Sequence, residues 1–368
     1  MIELTRRDLV LRRLYRQQIA APRLRTPAEV VAALGAMQAQ DYPGTLWAVG
    51  LRTVAATVSD VEGAVASRSI VRTWPLRGTL HIAPAADIRW MLALSAPRTI
   101  AAAAGRYRQL ELDQRTFARA NAVFAKALSG GHQMTRQELA LVLERARIGT
   151  AGQRLAHLLQ RGALEQVICF GARRGKQFTY ALLDDWVAAA PTLDRDEGLG
   201  RLAHRYFGGH GPATVADFAW WSGQTLTDAR RGVAQLGAQL GTAGYQGATH
   251  YFPADDPPGS EASGALHLLP GFDEFLLGYQ DRSAALDWEF AALVCPGGNG
   301  MFAPTIVQGG RVIGTWTRPA TTAGPVSPRY FRSSARVAAS HLNAKVARYA
   351  AFLDRPLGDR VDSGGSTE

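Results

Sequence analysis

Residues 134–183 read MTRQELALVLERARIGTAGQRLAHLLQRGALEQVICFGARRGKQFTYALL. Thr135 stands three residues before Glu138, the capping-box spacing, and apolar residues then recur at helical intervals. A second helix follows in TAGQRLAHLLQRGALE, with Leu155, Leu158 and Leu159 on one face. QVICFGARRGKQFTYALL gives two strand-like runs joined by a turn rich in Gly and Arg. Helix, helix, hairpin is the order of a winged helix-turn-helix, whose second helix can enter a groove and whose wing can touch a nucleic-acid backbone. The same architecture also serves protein binding, so the pattern fixes a fold before it fixes a partner.

The order recurs on both sides in weaker form. Upstream, SDVEGAVASRSIVRTWPLRGTLHIAP predicts a capped helix from Ser59, then strands VRTWPL and TLHIAP joined at Arg77-Gly78. Downstream, GPATVADFAWWSGQTLTDARRGVAQLG predicts two helices that turn at Ser222-Gly223, with Thr225 or Thr227 capping the second. GALHLLPGFDEFLLGYQDR and MFAPTIVQGGRVIGTWTR add strands beyond an ordinary wing. The expected fold is therefore α+β, with about three tandem winged helix-turn-helix modules: 1–115, 116–190 and 191–355, the last with added strands and a final helix from about Ser327 to Leu353. Residues 356–368, LGDRVDSGGSTE with its flank, read as a disordered tail, AAPTLDRDE near Pro191 as a linker, and PADDPPGSEASG near Pro257 as an exposed loop.

Composition narrows the partner. The chain has 41 Lys plus Arg against 31 Asp plus Glu, a formal charge of +10, which favours a polyanion and places nucleic acid first. Almost all of that charge is arginine, since Lys126, Lys176 and Lys345 are the lysines, a skew that a GC-rich coding sequence also produces. Cys169 and Cys295 lie far apart with no CxxC, and the histidines form no HExxH or HxH array, so neither a disulfide framework nor a metal site is expected. PGGNG at 296–300 lacks the Lys-Ser/Thr of a phosphate-binding loop and reads as a turn, and no cofactor is expected. MIELTRRDLVLRRLYRQQ reads as a helix without a cleavage site, and no run approaches the ~20 apolar residues of a membrane span. A cytoplasmic monomer, with no membrane and no protein partner, is the expectation.

ALGAMQAQDYPGTLWAVGLR, residues 33–52, carries the chemistry. A helix from near Thr26 should run out around Met37, because Asp41-Tyr42-Pro43-Gly44 reads as a turn and Pro43 disfavours helix before it. In an extended segment residues two apart share a side, so Gln38 and Gln40 form a paired amide array; in a continued helix they would diverge by about 200°. The residues alone leave open that two glutamines merely end a helix and meet water.

MQAQDYPGTLWAVGLR, RTWPLRGTLHIAPAAD and LPGFDEFLLGYQDR together resemble the AlkZ/YcaQ family of winged-helix DNA glycosylases, and the resemblance spans about Leu9 to Leu353. The family motif is Gln, an apolar residue, then Gln or Asp; Gln38-Ala39-Gln40 resembles the AlkZ-type Gln/Gln form. The resemblance implies tandem winged helices forming a concave DNA-binding surface, excision of alkylated purines including crosslinked ones, and Gln38 and Gln40 as catalytic residues. The partner implied is double-stranded DNA containing alkylated purines. A strong base is not required, since an alkylated ring nitrogen gives the purine a positive charge and the base departs neutral. What remains is to position water and stabilise charge with oriented dipoles. The alternative is a winged-helix transcriptional regulator without chemistry.

Other candidates are less determined. Asp41 reads as a turn residue, and Tyr42 and Trp47 as core aromatics rather than base-stacking ones. Arg72, Arg77 and His81 alternate along RTWPLRGTLHIAP and are candidates for DNA contact, as are Arg173, Arg174 and Lys176 at the wing tip. LPGFDEFLLGYQDR carries the carboxylates Asp273, Glu274 and Asp281 with Arg282, from which a hydrolase pair could be drawn, but it reads rather as scaffold, with Asp273 or Asp281 paired to an arginine.

Overall fold

The computed structural model describes residues 2–190, 192–255, 264–298, 300–318 and 326–354. Helices, the longest of those described being Ala85–Gln109, and small, mainly antiparallel sheets build a mixed α+β fold, and local signals account for many of the helix starts. Thr26 and Glu29 form a reciprocal capping box for Pro27–Leu34, with Pro27 in the first turn, where its missing N–H costs nothing. Gly35, at φ +76°, ends that helix in a conformation a side chain would resist. The chain is thereby extended at Met37–Gln38, which forms an edge strand beside Thr79–Pro84, itself paired with Ile70–Leu76. Arg77 and Gly78 turn that hairpin with φ of 53° and 67°, the mirror-image turn geometry that suits tight hairpins.

Residues 134–183 take the expected order. Thr135 and Glu138 cap Arg136–Arg145; Arg154–Leu164 follows and buries Leu155, Leu158 and Leu159; and Ile168–Phe170 pairs with Thr179–Leu182. The strand Met134–Thr135 completes this three-stranded sheet. Farther along, Arg195–His210, Val215–Ser222 and Leu226–Leu236 precede the hairpin Leu240–Tyr245 and Ala248–Pro253, with Gly223 as a left-handed cap and Thr225 capping the third helix. Gly209 permits close approach of two helices, since a Cβ there would stand 2.5 Å from the Ala33 carbonyl oxygen.

Several expectations change. The helix expected from Ser59 is capped two residues earlier by Thr57 with Asp60, and runs Val58–Ala66. Asp41-Tyr42-Pro43-Gly44 is not a free turn: Pro43 sits in the first turn of the helix Tyr42–Gly50, a position where proline starts a helix as readily as it stops one. The final helix is shorter than expected, Ala339–Phe352, because Ser327–Tyr330 instead pairs with Arg311–Thr317 at the edge of a four-stranded sheet with Leu266–Leu269 and Thr305–Gln308. The first strand, Ile2–Glu3, lies parallel to Leu240–Tyr245, so the N-terminus joins the sheet of residues 240–253 rather than that of 37–84. The expected loop near Pro257 falls largely, and the tail 356–368 wholly, outside the described residues, as do Pro191 and Asn299.

One core cluster ties the motif to the distant C-terminal sheet. Leu34, Met37 and Trp47 pack with Leu268, Phe275, Ile306, Trp316, Tyr349 and Phe352. Trp47 donates its indole N–H to the Leu268 carbonyl and has Tyr349 at 4.9 Å, which places it in the core, as expected.

Candidate active site

The backbone N–H and carbonyl groups of Gln38 and Ala39 are all hydrogen-bonded. Its N–H donates to Glu274 Oε1 at 3.0 Å and its carbonyl accepts from Thr45 Oγ1 at 3.1 Å. The Ala39 N–H donates to the Leu80 carbonyl at 2.7 Å. The Ala39 carbonyl accepts from Arg72 Nε and Nη2 at 3.2 and 2.9 Å. Each of these buried groups would be costly if unpaired, so the segment is fixed as an extended strand rather than left as a loose helix end.

That conformation brings the two glutamines together. Gln38 Nε2 donates to Gln40 Oε1 at 2.6 Å, and Arg77 Nη2 donates to Gln38 Oε1 at 3.3 Å. Gln38 is buried, whereas Gln40 is exposed. The result is a chain of donors, Arg77 to Gln38 to Gln40, ending at the surface. Asp41 is bound to Arg318 at 2.8 Å, and Gly44 leaves room for its carboxylate, since a Cβ there would collide with Asp41 Oδ2. The carboxylate next to the motif is thus already paired.

Behind the strand lies a fully buried polar cluster. Glu274 Oε2 accepts from Trp221 Nε1 at 3.0 Å and faces His210 Nε2 at 3.2 Å, while its other oxygen holds Gln38. Burial opposes the Glu274 charge, but the His210 contact and the Gln38 N–H outweigh it, and the carboxyl titrates down at about 2. Beside it, Asp273 forms a two-pronged pair with Arg52, both contacts at 2.8 Å, which is the scaffold role expected of this segment. Gln17 and the Ala48 carbonyl take the remaining Arg52 donors, so a buried guanidinium is satisfied throughout. Asp281 instead accepts from the Ser283 N–H.

The predicted DNA-contacting residues separate into two groups. Arg72 is 5% exposed and His81 is fully buried, so neither stands at the surface to meet a backbone phosphate, and the expectation of such a contact is corrected for both. Burial, with Arg77 nearby, pushes the His81 imidazole down to about 4, which keeps it neutral. Burial lowers Arg77 as well, and this residue turns inward to Gln38 and to the Trp220 carbonyl at 3.4 Å. At the wing, Arg173 pairs with Glu62 and Arg174 with Glu138, both at 2.8 Å, whereas Lys176 lies exposed. Arg173 is therefore an internal tie more than a free cation, and Arg174 is half-exposed in its pair.

His210 and Trp221 are missed by the sequence reading, which takes Glu274 and Arg282 only as members of the segment LPGFDEFLLGYQDR. Arg282 packs over Trp220 and Phe302, at 5.6 and 5.1 Å, and the half-exposed Trp220 also has the Arg77 guanidinium at 5.7 Å. The one available signal was the DE pair in LPGFDEFLLGYQDR, because two adjacent acids in an apolar run must both be neutralised if the run is buried.

A family model described as DNA glycosylase AlkZ-like matches residues 31–352. A relative in Streptomyces sahachiroi, named interstrand DNA cross-link repair glycosylase, is 28% identical over 321 residues, covering 82% of this chain and 84% of the relative. The solved structure of Streptomyces sahachiroi DNA glycosylase AlkZ is similar with a TM-score of 0.83 at 25% identity, over 98% of this chain and 100% of that one. With the family model spanning most of its length, the chain belongs to the AlkZ-like DNA glycosylases, hydrolases of N-glycosyl bonds, and is not a winged-helix transcriptional regulator.

Proposed function

We propose that Gln38 and Gln40 together catalyse hydrolysis of the glycosidic bond of cationic alkylated purines in duplex DNA, including purines joined across the strands. The observation that carries this reading is the 2.6 Å amide pair on a strand whose backbone N–H and carbonyl groups at Gln38 and Ala39 are all hydrogen-bonded. Each amide carbonyl accepts one hydrogen bond and keeps a second lone pair open, enough to aim a water at the sugar C1′. The C1′–N bond breaks with its electron pair passing to the purine, which leaves neutral; water oxygen bonds C1′ and its proton passes to solvent. Preorganised dipoles cost no reorganisation when charge moves from base to sugar. An unmodified purine, with a poorer leaving group, resists a site in which Asp41 and Glu274, the carboxylates described beside the motif, are already paired.

The name of the Streptomyces relative supports the extension to interstrand crosslinks. The helix, helix, hairpin order of residues 134–183, and its weaker repeats, support three tandem winged-helix modules around a concave DNA surface, divided near 115 and 190. Arg174 and Lys176 then meet the DNA backbone. The protein acts as a cytoplasmic monomer; among the described residues no helix is long and apolar enough to cross a membrane. Incubating the purified protein with duplex containing 7-methylguanine, and separately with a crosslinked duplex, should release free base and leave abasic sites. Intact glycosidic bonds in both substrates would overturn the reading.

A further inference from the structure

A cavity of about 420 Å³ opens between the hairpin Ile70–Leu76/Thr79–Pro84 and the helix and wing of residues 134–182. Its size lies in the range of small-ligand pockets. Trp74, Phe170, Phe178 and Tyr180 contribute aromatic surface, and Arg72, Arg136 and Lys176 contribute charge, with no carboxylate in the lining. Arg136 and Lys176 are exposed at the rim.

Arg72 is the unusual member. It is 5% exposed, its guanidinium lies 4.4 and 4.3 Å from the Phe170 and Phe178 rings, and among the described residues no carboxylate pairs with it. Burial lowers its pKa to about 10. Two of its nitrogens serve the Ala39 carbonyl, whereas Nη1 makes no hydrogen bond to a described residue. A desolvated cation without a counter-charge is expensive, and aromatic faces offset that only in part. An acceptor-bearing ligand in the cavity would complete it.

We propose that this cavity is a nucleotide pocket that takes an unpaired base of the DNA, with the acceptor edge of the base on Arg72 and the adjoining phosphate on Lys176 and Arg136. The chemistry selects a nucleotide because three features coincide: aromatic walls that stack any base, a buried guanidinium that reads carbonyl and ring-nitrogen acceptors, and rim cations spaced outside them. Neither Gln38 nor Gln40 lines the cavity. The base held there is therefore a second one, displaced from the stack near the lesion, and not the base whose bond is cut. Arg72 connects the two places, since it touches the cavity and also fixes the carbonyl between the two glutamines. The inference rests on the glycosylase reading only for the identity of the DNA ligand.

The test is titration of the full chain with dGMP, dAMP and deoxyribose 5-phosphate, followed by tryptophan fluorescence and calorimetry. Saturable dGMP binding is expected, tighter than dAMP because adenine presents a donor where guanine presents O6, and far tighter than the sugar phosphate. Trp74→Ala should weaken dGMP about tenfold, in line with one lost stacking contact. Lys176→Ala, an exposed change that leaves packing alone, should weaken dGMP but not 2′-deoxyguanosine. Gln40→Ala should bind dGMP as the wild type does while losing base release. A wild-type chain that does not saturate with dGMP, or dGMP affinity unchanged from the wild type in both Trp74→Ala and Lys176→Ala, would overturn the pocket. Base release unaffected by Gln40→Ala would overturn the amide mechanism instead, whatever the nucleotide titration shows.

Discussion

Glu274 and Gln38, 236 residues apart in sequence, are joined by a 3.0 Å hydrogen bond from the Gln38 backbone N–H to Glu274 Oε1. A carboxylate buried to 1% exposure thus sets the position of a glutamine at the start of the surface motif. The same carboxylate holds Trp221 and His210, so one side chain ties the motif strand to the helices Arg195–His210 and Val215–Ser222.

Glu274→Gln should therefore lower the rate of base release with little change in DNA affinity. The substituted amide can face Gln38 with its oxygen, but its NH2 then meets the Trp221 N–H, leaving a buried donor unpaired at a cost of about 1–3 kcal/mol. Single-turnover rates and binding isotherms on the same duplex separate the two effects, and an equal loss in both would show a merely structural role.

The same residue predicts an acid-labile fold. Its carboxyl sits at about 2 in the folded chain against an ordinary glutamate value of 4.5, so it binds a proton more readily when unfolded. The stability it supplies is present above about pH 4.5 and is lost as pH falls through about 2, on the order of 3 kcal/mol. Urea unfolding from pH 6 to 3 should show a steeper loss in the wild type than in Glu274→Gln. Parallel curves would place the acid sensitivity elsewhere.

Breaking the Arg52–Asp273 pair from one side should be worse than removing it. Asp273→Asn leaves a fully buried guanidinium without its counter-charge, a loss of about 3–5 kcal/mol, whereas the double change Arg52→Met with Asp273→Leu should recover part of it. Chemical denaturation of the two variants gives the comparison, and a double variant no more stable than the single one would contradict it.

At the wing, replacing Arg174 and Lys176 by alanine should reduce the slope of log affinity against log salt by about 1–2, as one or two phosphate contacts are lost. His81→Gln, being buried, should leave that slope unchanged. Anisotropy titrations over a salt series decide, and an unaltered slope in the Arg174/Lys176 variant would remove the wing from the interface.

Local physics made the capping of Arg136–Arg145, the hairpin turn at Arg77-Gly78 and the Gln38/Gln40 pairing legible, because each depends on residues a few positions apart. The fate of Arg72 and His81 was not legible. Alternation tells which side of a strand a residue occupies, but not that the strand Ile70–Leu76 is covered on both sides, as its burial shows. Glu274 could not be placed from sequence for a related reason: its partners come from three distant segments. Ser327–Tyr330 read as the start of a helix because its partner strand, Arg311–Thr317, supplies the pairing that local propensity does not.

The most direct test of the account is the rate of base release from duplex 7-methylguanine by Gln38→Ala and Gln40→Ala, each confirmed as folded by an unchanged melting transition. Both variants should bind DNA as the wild type does and release base at least roughly ten- to a hundredfold more slowly, about 1.4 to 2.7 kcal/mol in barrier. Gln40→Asp should retain activity, since it keeps an acceptor oxygen beside Gln38. Wild-type rates in both alanine variants would contradict the assignment of catalysis to the amide pair.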